Sequence, residues 1–507
     1  MKKLILVGFF LSFLTVTISA QELQALFDQS VKQYNSQDYQ AALLGLKSAN
    51  AKNPKIFQVH FYLGLCYYNL SNYQEAINEL QETIRLKPDL ALAYTNLGNA
   101  YDRMGKYDDA VITYEKAMSL DPKSGLANIE LGVAHYNHKN YLKAIQVLKE
   151  AVQLNPGSFQ AFKALGLACY NQKMYPEAIN ALSAALRLKP DYTAYVDLGN
   201  SYHDSGKYDE AILAFEKAIS LDPKSGYANI ELGVAYYNRK NYPKAVQILK
   251  EAVQLKPDSS RGLSTLGMAY YDQKMYQEAI NALSAAIRIR PDYSTFINLG
   301  NAYDNFGKYD DAVSAYEKAI SLDPKSGLAN IELGFAHYIH NDYLKAVAVL
   351  KEAVKLAPGS SRAAILLGKV YVVQKMYPEA IIALNSAIRL EPGNADAYLS
   401  LGNAYYDNGK WAESVPFYKK VTELAPTAVI GHVYLADAYR NLKQDTLAVV
   451  SYKKAIDLDA KNVDALHGLG LAYFNLKNKD LLRKHIDLLK SLDEKTANEL
   501  QAKLALL

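Results

Sequence analysis

The chain has 507 residues, 50% of them apolar and 21% charged, a composition that folds rather than staying disordered. Its formal net charge is +4, and no run of Lys or Arg forms the basic face that nucleic acid or an anionic membrane surface would require. The only cysteines, Cys66 and Cys169, are too few for a disulfide framework and read as small buried hydrophobes.

The first twenty residues read as an export signal. Lys2 and Lys3 form a positive start, and Leu4 to Val16 form an apolar stretch too short for a comfortable membrane span. Thr17-Ile18-Ser19-Ala20 offers small residues for cleavage after Ala20. The mature chain is then expected to be soluble and extracytoplasmic, in a bacterial periplasm. No later stretch is apolar for long enough to span a bilayer.

From residue 21 onward the chain repeats itself. Prolines recur from Pro54 through Pro88, Pro122 and Pro156 to Pro426, spaced by 34 with two intervals of 33. Ala91 to Ser124 shows the unit. Tyr94, Leu97, Gly98 and Tyr101 lie on one helical face, and Gly105 and Lys106 mark a turn. Tyr107, Ala110, Tyr114 and Ala117 mark the inner face of a second helix, which Pro122 stops. Gly98 and Ala110 are small where the two helices approach. One such hairpin cannot bury its apolar face alone, so neighbours must stack.

The set Leu97-Gly98-x-x-Tyr101, Ala110, Tyr114, Ala117, Pro122 resembles the tetratricopeptide repeat, in phase over nearly all of 21–494. The resemblance implies an all-α fold: a right-handed superhelical α-solenoid of about thirteen or fourteen helix–turn–helix repeats. It also implies a concave groove, lined by first helices, that takes peptides or partner domains. A second period of 101 residues copies a block of three repeats, so that Asp121-Pro122-Lys123-Ser124-Gly125 returns at 222–226 and 323–327. The ends depart from the pattern, as capping repeats do, with Ser30 and Ala436 in place of glycine and a closing helix expected over 495–507.

Candidate contacts follow from the groove. Asn99, Asn200, Asn301 and Asn403 each follow the repeat glycine, and an amide that both donates and accepts suits an extended peptide backbone. Asp102 and Asp304 lie one turn further on. Intervening repeats offer Val133 with Tyr136, Val234 with Tyr237, and Phe335 with Tyr338. Glu130, Glu231 and Glu332 add a negative charge in each copied block. Where related clamps for a C-terminal carboxylate need cations, this chain offers Leu126 and Glu130.

The pairs His135/His138 and His337/His340 share helix faces, but no third metal ligand accompanies them, and His135 and His337 occupy a tyrosine packing position. No phosphate-binding loop, nucleophile elbow or metalloprotease motif occurs, so neither a cofactor nor catalysis is expected. The expected function is a protein-interaction scaffold. The rival is an accessory subunit of an envelope enzyme or glycan-assembly complex, with the groove tyrosines stacking on sugar.

Overall fold

A computed structural model describes residues 20–507. The expected export signal lies outside the described residues except for Ala20. The chain divides into two units, one running to Pro257 and the other Asp258–Leu507.

In the first unit α1 covers 20–35, followed by α2 (Tyr39–Lys52), α3 (Phe57–Asn69), α4 (Tyr73–Leu86), α5 (Ala91–Arg103), α6 (Tyr107–Leu120) and α7 (Leu126–Asn137). Then come α8 (Tyr141–Leu154), α9 (Phe159–Asn171), α10 (Tyr175–Leu188), α11 (Tyr192–Asp204), α12 (Tyr208–Leu221), α13 (Gly226–Asn238) and α14 (Tyr242–Leu255). The second unit holds α15 (Ser260–Asp272), α16 (Tyr276–Ile289), α17 (Tyr293–Asn305), α18 (Tyr309–Leu322), α19 (Gly327–Ile339), α20 (Tyr343–Leu356), α21 (Ser361–Val373) and α22 (Tyr377–Leu390). It closes with α23 (Ala395–Asp407), α24 (Trp411–Leu424), α25 (Val429–Asn441), α26 (Asp445–Leu458), α27 (Val463–Asn475), α28 (Lys479–Lys490) and α29 (Glu494–Leu504). Odd numbers from α1 to α27 are the first helices of hairpins. Each unit is an all-α solenoid.

Local chemistry places the helix ends. Second helices stop just before the recurrent prolines, and the next first helix often begins at a side-chain cap. Asp191 Oδ1 accepts the Ala194 N–H at 2.8 Å, and Ser158 Oγ accepts the Ala161 N–H at 3.2 Å. The turn inside each hairpin needs one left-handed residue. Gly105, Gly206, Gly307 and Gly409 supply it in some repeats, at φ of 73° to 82°; Lys139, Lys173, Lys274 and Lys375 adopt it in others.

Packing within a hairpin turns on one seat. A Cβ added to Gly98 would lie 2.6 Å from the Tyr114 ring, and one added to Gly300 would lie 2.5 Å from Tyr316. Gly199 seats Phe215, Gly132 seats Leu148 and Gly334 seats Leu350. The large partner is fully buried in each case: Tyr114 is 1% exposed and Phe215 0%. Ser30, which replaces the glycine in the first hairpin, is buried and turns its hydroxyl onto the Leu26 carbonyl at 2.8 Å. At the far end, Leu500 of α29 lies against Gly470 of α27. Cys66 and Cys169 are free and buried, and burial pushes both thiols up to about 11.

Successive first helices touch one another, as α5 does α7 and α7 does α9, whereas α6 and α8 make no comparable contact. First helices therefore lie on the inside of the stack within each unit. None of the described helices is long and apolar enough to cross a membrane.

The seat makes a measurable distinction. Gly300→Ala is expected to cost about 1–3 kcal/mol through overpacking. Gly307→Ala, with open space around it but a φ of 82°, should cost only about 1 kcal/mol through backbone strain. Urea midpoints measure both, and equal costs would contradict the seat.

Candidate functional site

The inner faces of the two units carry the residues singled out in the sequence, and the structure divides them into two roles. The asparagines come first. Tyr114 donates its hydroxyl proton to Asn99 Oδ1 at 2.6 Å, Tyr316 to Asn301 at 2.7 Å and Tyr418 to Asn403 at 2.8 Å. The ring that fills the glycine seat thus carries its hydroxyl to the groove surface, where the neighbouring amide takes it. Each carbonyl oxygen spends one of its two lone pairs on this bond, while the Nδ2 protons have no partner among the described residues. A peptide carbonyl can accept from those protons. Asn200 differs, because Phe215 fills its seat and has no hydroxyl. Its amide has no hydrogen-bond partner among the described residues and keeps both donor and acceptor. The signal was present in the sequence as an Asn and a Tyr fifteen residues apart, with Asn200/Phe215 the exception.

The second role is a polar seam between successive first helices. In the first unit, Asn69 donates to Tyr34 Oη at 3.4 Å, Arg103 to Tyr68 Oη at 3.4 Å and His138 to Asp102 at 3.1 Å. Tyr170 then donates to Asp204 at 2.6 Å, and Asn238 to His203 at 2.6 Å. In the second unit, Asn305 donates to Tyr271 at 3.0 Å, His340 to Asp304 at 3.0 Å and Asn441 to Tyr406 at 2.6 Å. Each rung stitches one repeat to the next.

The seam changes the reading of several candidates. The Asp102 side chain is 19% exposed and that of Asp304 8%, each beneath its histidine, so both are rungs rather than open groove contacts. Those histidines stack on Tyr107 and Tyr309, at ring separations of 4.1 and 4.2 Å. His135 and His337 are buried against the same tyrosine hydroxyls, in the packing position the sequence implied. Burial holds both imidazoles below their usual range. Among the described residues no group of three His, Cys, Asp or Glu could hold a metal.

Val234 is 6% exposed and packs with Ile230 and Ala252, so it belongs to the core and not to the groove surface. Val133 and Phe335 remain half-buried, the latter with the Arg362 guanidinium 5.9 Å from its ring centre. Tyr136, Tyr237 and Tyr338 each tilt against the first residue of their own second helix, Tyr141, Tyr242 and Tyr343, at 5.6 to 6.2 Å. That contact uses part of each ring.

Charge differs along the faces. In the second unit Glu332 forms a two-pronged pair with Arg362 at 2.5 and 2.7 Å. The equivalent of Arg362 beside Glu130 is Gln160. Burial, with Asp102 nearby, pushes the Glu130 carboxyl up. Burial also pushes Asp197 up to about 6, against a weaker opposing pull from Lys163. Lys163 is itself committed to Asp191 at 3.1 Å. The first unit thus holds two desolvated carboxylates, Glu130 and Asp197, whose neighbouring cations Arg103 and Lys163 do not offset the burial.

Two tests follow. A double-mutant cycle on Asn99→Ala and Tyr114→Phe is expected to show coupling of about 1 kcal/mol, against almost none for Asn200→Ala with Phe215→Leu. For Asp197, the folded pKa lies above the unfolded value near 3.9, so the native state holds the proton more tightly. Stability is therefore lost as pH rises from about 4 through 6. Asp197→Asn should gain up to about 2 kcal/mol over the parent at pH 7.5 and nothing at pH 3.5, read from urea midpoints. A gain that is the same at both pH values would refute the assignment.

Comparison with known families agrees with this architecture. Family models described as tetratricopeptide or TPR repeats match 258–325, 297–361, 368–409, 395–428 and 436–477. A model described as the cilia and flagella-associated protein 70 C-terminal domain matches 19–252. Among solved structures, MamA is 30% identical, with 33% of this chain and 92% of that chain covered and a TM-score of 0.32. YrrB, described as a TPR protein with an unusual peptide-binding site, is 24% identical over 36% of this chain and 95% of that one, with a TM-score of 0.35. The APC/C hetero-tetramer Cut9–Hcn1 is 17% identical over 90% and 99%, with a TM-score of 0.39. No curated protein matches the chain.

Proposed function

The chain is a tetratricopeptide repeat protein, and from that premise we propose that its first-helix faces hold other proteins by capturing extended segments. The single observation that carries this reading is the oriented amide. Asn99, Asn301 and Asn403 have their oxygens tied back to buried tyrosines, which leaves a spaced series of Nδ2 donors on the inner faces. A strand-like segment offers carbonyl acceptors along its length, and a fixed donor costs little entropy on binding. Asn200, with both groups free, adds a site that can also accept an N–H.

Half-buried Val133, Tyr136, Phe335 and Tyr338 supply apolar contact between the amides. Glu130 and Asp197 favour a Lys or Arg in the segment that crosses the first unit, because a cation would relieve two desolvated carboxylates. Repetition of contacts within one array adds avidity. Lys2, Lys3 and the apolar run Leu4 to Val16, with cleavage expected after Ala20, support action outside the cytoplasm, in a bacterial periplasm. The scaffold then works by positioning, without chemistry of its own.

Site-specific photo-crosslinking tests the face. A photoreactive residue placed at Asn200, on the inner side of α11, is expected to capture partner protein from envelope extract. One placed at Leu213, which is 63% exposed on α12, should not. Capture from 213 but not from 200 would put the binding surface on the second helices and end this reading.

A further inference from the structure

In the second unit the polar seam lapses around α21, as it also does between α25 and α27, where Asn475 bonds Asp445 instead. Tyr338 of α19 has no hydrogen-bond partner for its hydroxyl among the described residues. Its rung would fall on Val373, and the next rung would start from Val372; neither side chain can make one. In the two other copies of the block these positions are Tyr170-Asn171 and Tyr271-Asp272. The divergence is concentrated here: Ile339 stands where the copies have Asn137 and Asn238, and Lys369 where they have Leu167 and Met268.

The result is a notch of about 250 Å³ lined by Tyr338, Lys369, Val372, Val373, Asp396, Leu399, Ser400 and Asn403. That is room for roughly eight waters at liquid density, the scale of one large side chain. Val373 is 44% exposed, so aliphatic surface lies open to solvent at the site. The charges cancel locally, because Lys369 Nζ sits 2.8 Å from Asp396. Asn403 keeps its Nδ2 free, its oxygen being held by Tyr418.

We propose that this notch is the anchor pocket of the second unit, taking one aliphatic or aromatic side chain of an extended partner segment. This rests on the segment-capture reading above and gives it a side-chain preference. A charged side chain is refused, since its desolvation would go uncompensated beside an already satisfied Lys369–Asp396 pair. An acyl chain is too long for the space. A peptide fits the whole site: its side chain on Val372 and Leu399, its phenol contact from Tyr338, and its carbonyl on Asn403 Nδ2.

The test uses the full chain with methyl-labelled Leu and Val, and capped ten-residue peptides of Gly, Ser and Thr carrying one central Leu, Phe, Lys or Asp. Leu and Phe peptides are expected to shift the Leu399 methyl resonances saturably, while Lys and Asp peptides leave them in place. Val372→Tyr with Val373→Asn, which copies the pair at 170–171, should weaken the Leu peptide at least tenfold. Val373→Asn alone, which gives Tyr338 a rung partner, should weaken it by less. Equal response to Leu and Asp peptides, or undiminished affinity in the double variant, would overturn the proposal. So would a silent Leu399 while Val133 and Leu167 respond, which sinks the notch alone. Silence of every inner-face methyl with all four peptides would sink the segment-capture reading as well.

Discussion

Everything on the inner faces depends on one close approach. In most hairpins the first helix lies against its second where a glycine lets a large side chain sit on its backbone, as Tyr114 does on Gly98 and Tyr316 on Gly300. The seat fixes the hairpin, and with a tyrosine in it the phenol is carried through the core to the groove side. The hydroxyl must then find an acceptor, since a buried polar group left alone costs about 1–3 kcal/mol. The residue next to the glycine is in place to provide it. Packing thereby orients the amides on the inner faces, which is the property that the proposed capture uses.

The same coupling lets neighbouring repeats present different surfaces while keeping one backbone. Repeats with Leu148, Leu249 or Leu350 in the seat need no acceptor, and the residue after their glycine is Val133, Val234 or Phe335. Repeats with tyrosine in the seat carry Asn or, once, Asp437, whose oxygen accepts from Tyr452 at 2.5 Å. The alternation of polar and apolar patches follows what fills the glycine seat in these repeats, with Asn200 beside Phe215 and Lys369 beside Leu384 as exceptions. The seam of rungs is a separate device. It joins repeats by side-chain hydrogen bonds at the helix ends, and where it lapses, at Val372 and Val373, it leaves space.

Much of this was legible in the sequence. The period, the two helices, the turn and the small positions could all be read from the prolines, glycines and alanines, because each is fixed by local backbone chemistry. The role of His135 and His337 was legible for the same reason: a ring stood where other repeats have a ring. The groove was read less well. Asp102 and Asp304 looked like exposed acids, but their histidines lie thirty-six residues away, one repeat on, and only stacking brings them together. Val234 shares its position with Val133 yet is buried, a difference set by its neighbours and not by its own type. The tyrosine–asparagine bond was missed although its spacing is constant, because Tyr114 had been assigned wholly to the core.

A crystal structure of the chain with a bound partner segment tests the central claim most directly. The account predicts an extended segment on the first-helix face, with its carbonyl oxygens within hydrogen-bond distance of Nδ2 of one or more of Asn99, Asn200, Asn301 and Asn403. A partner seated on the second helices, or on the first-helix face with none of these amides engaged, would contradict it.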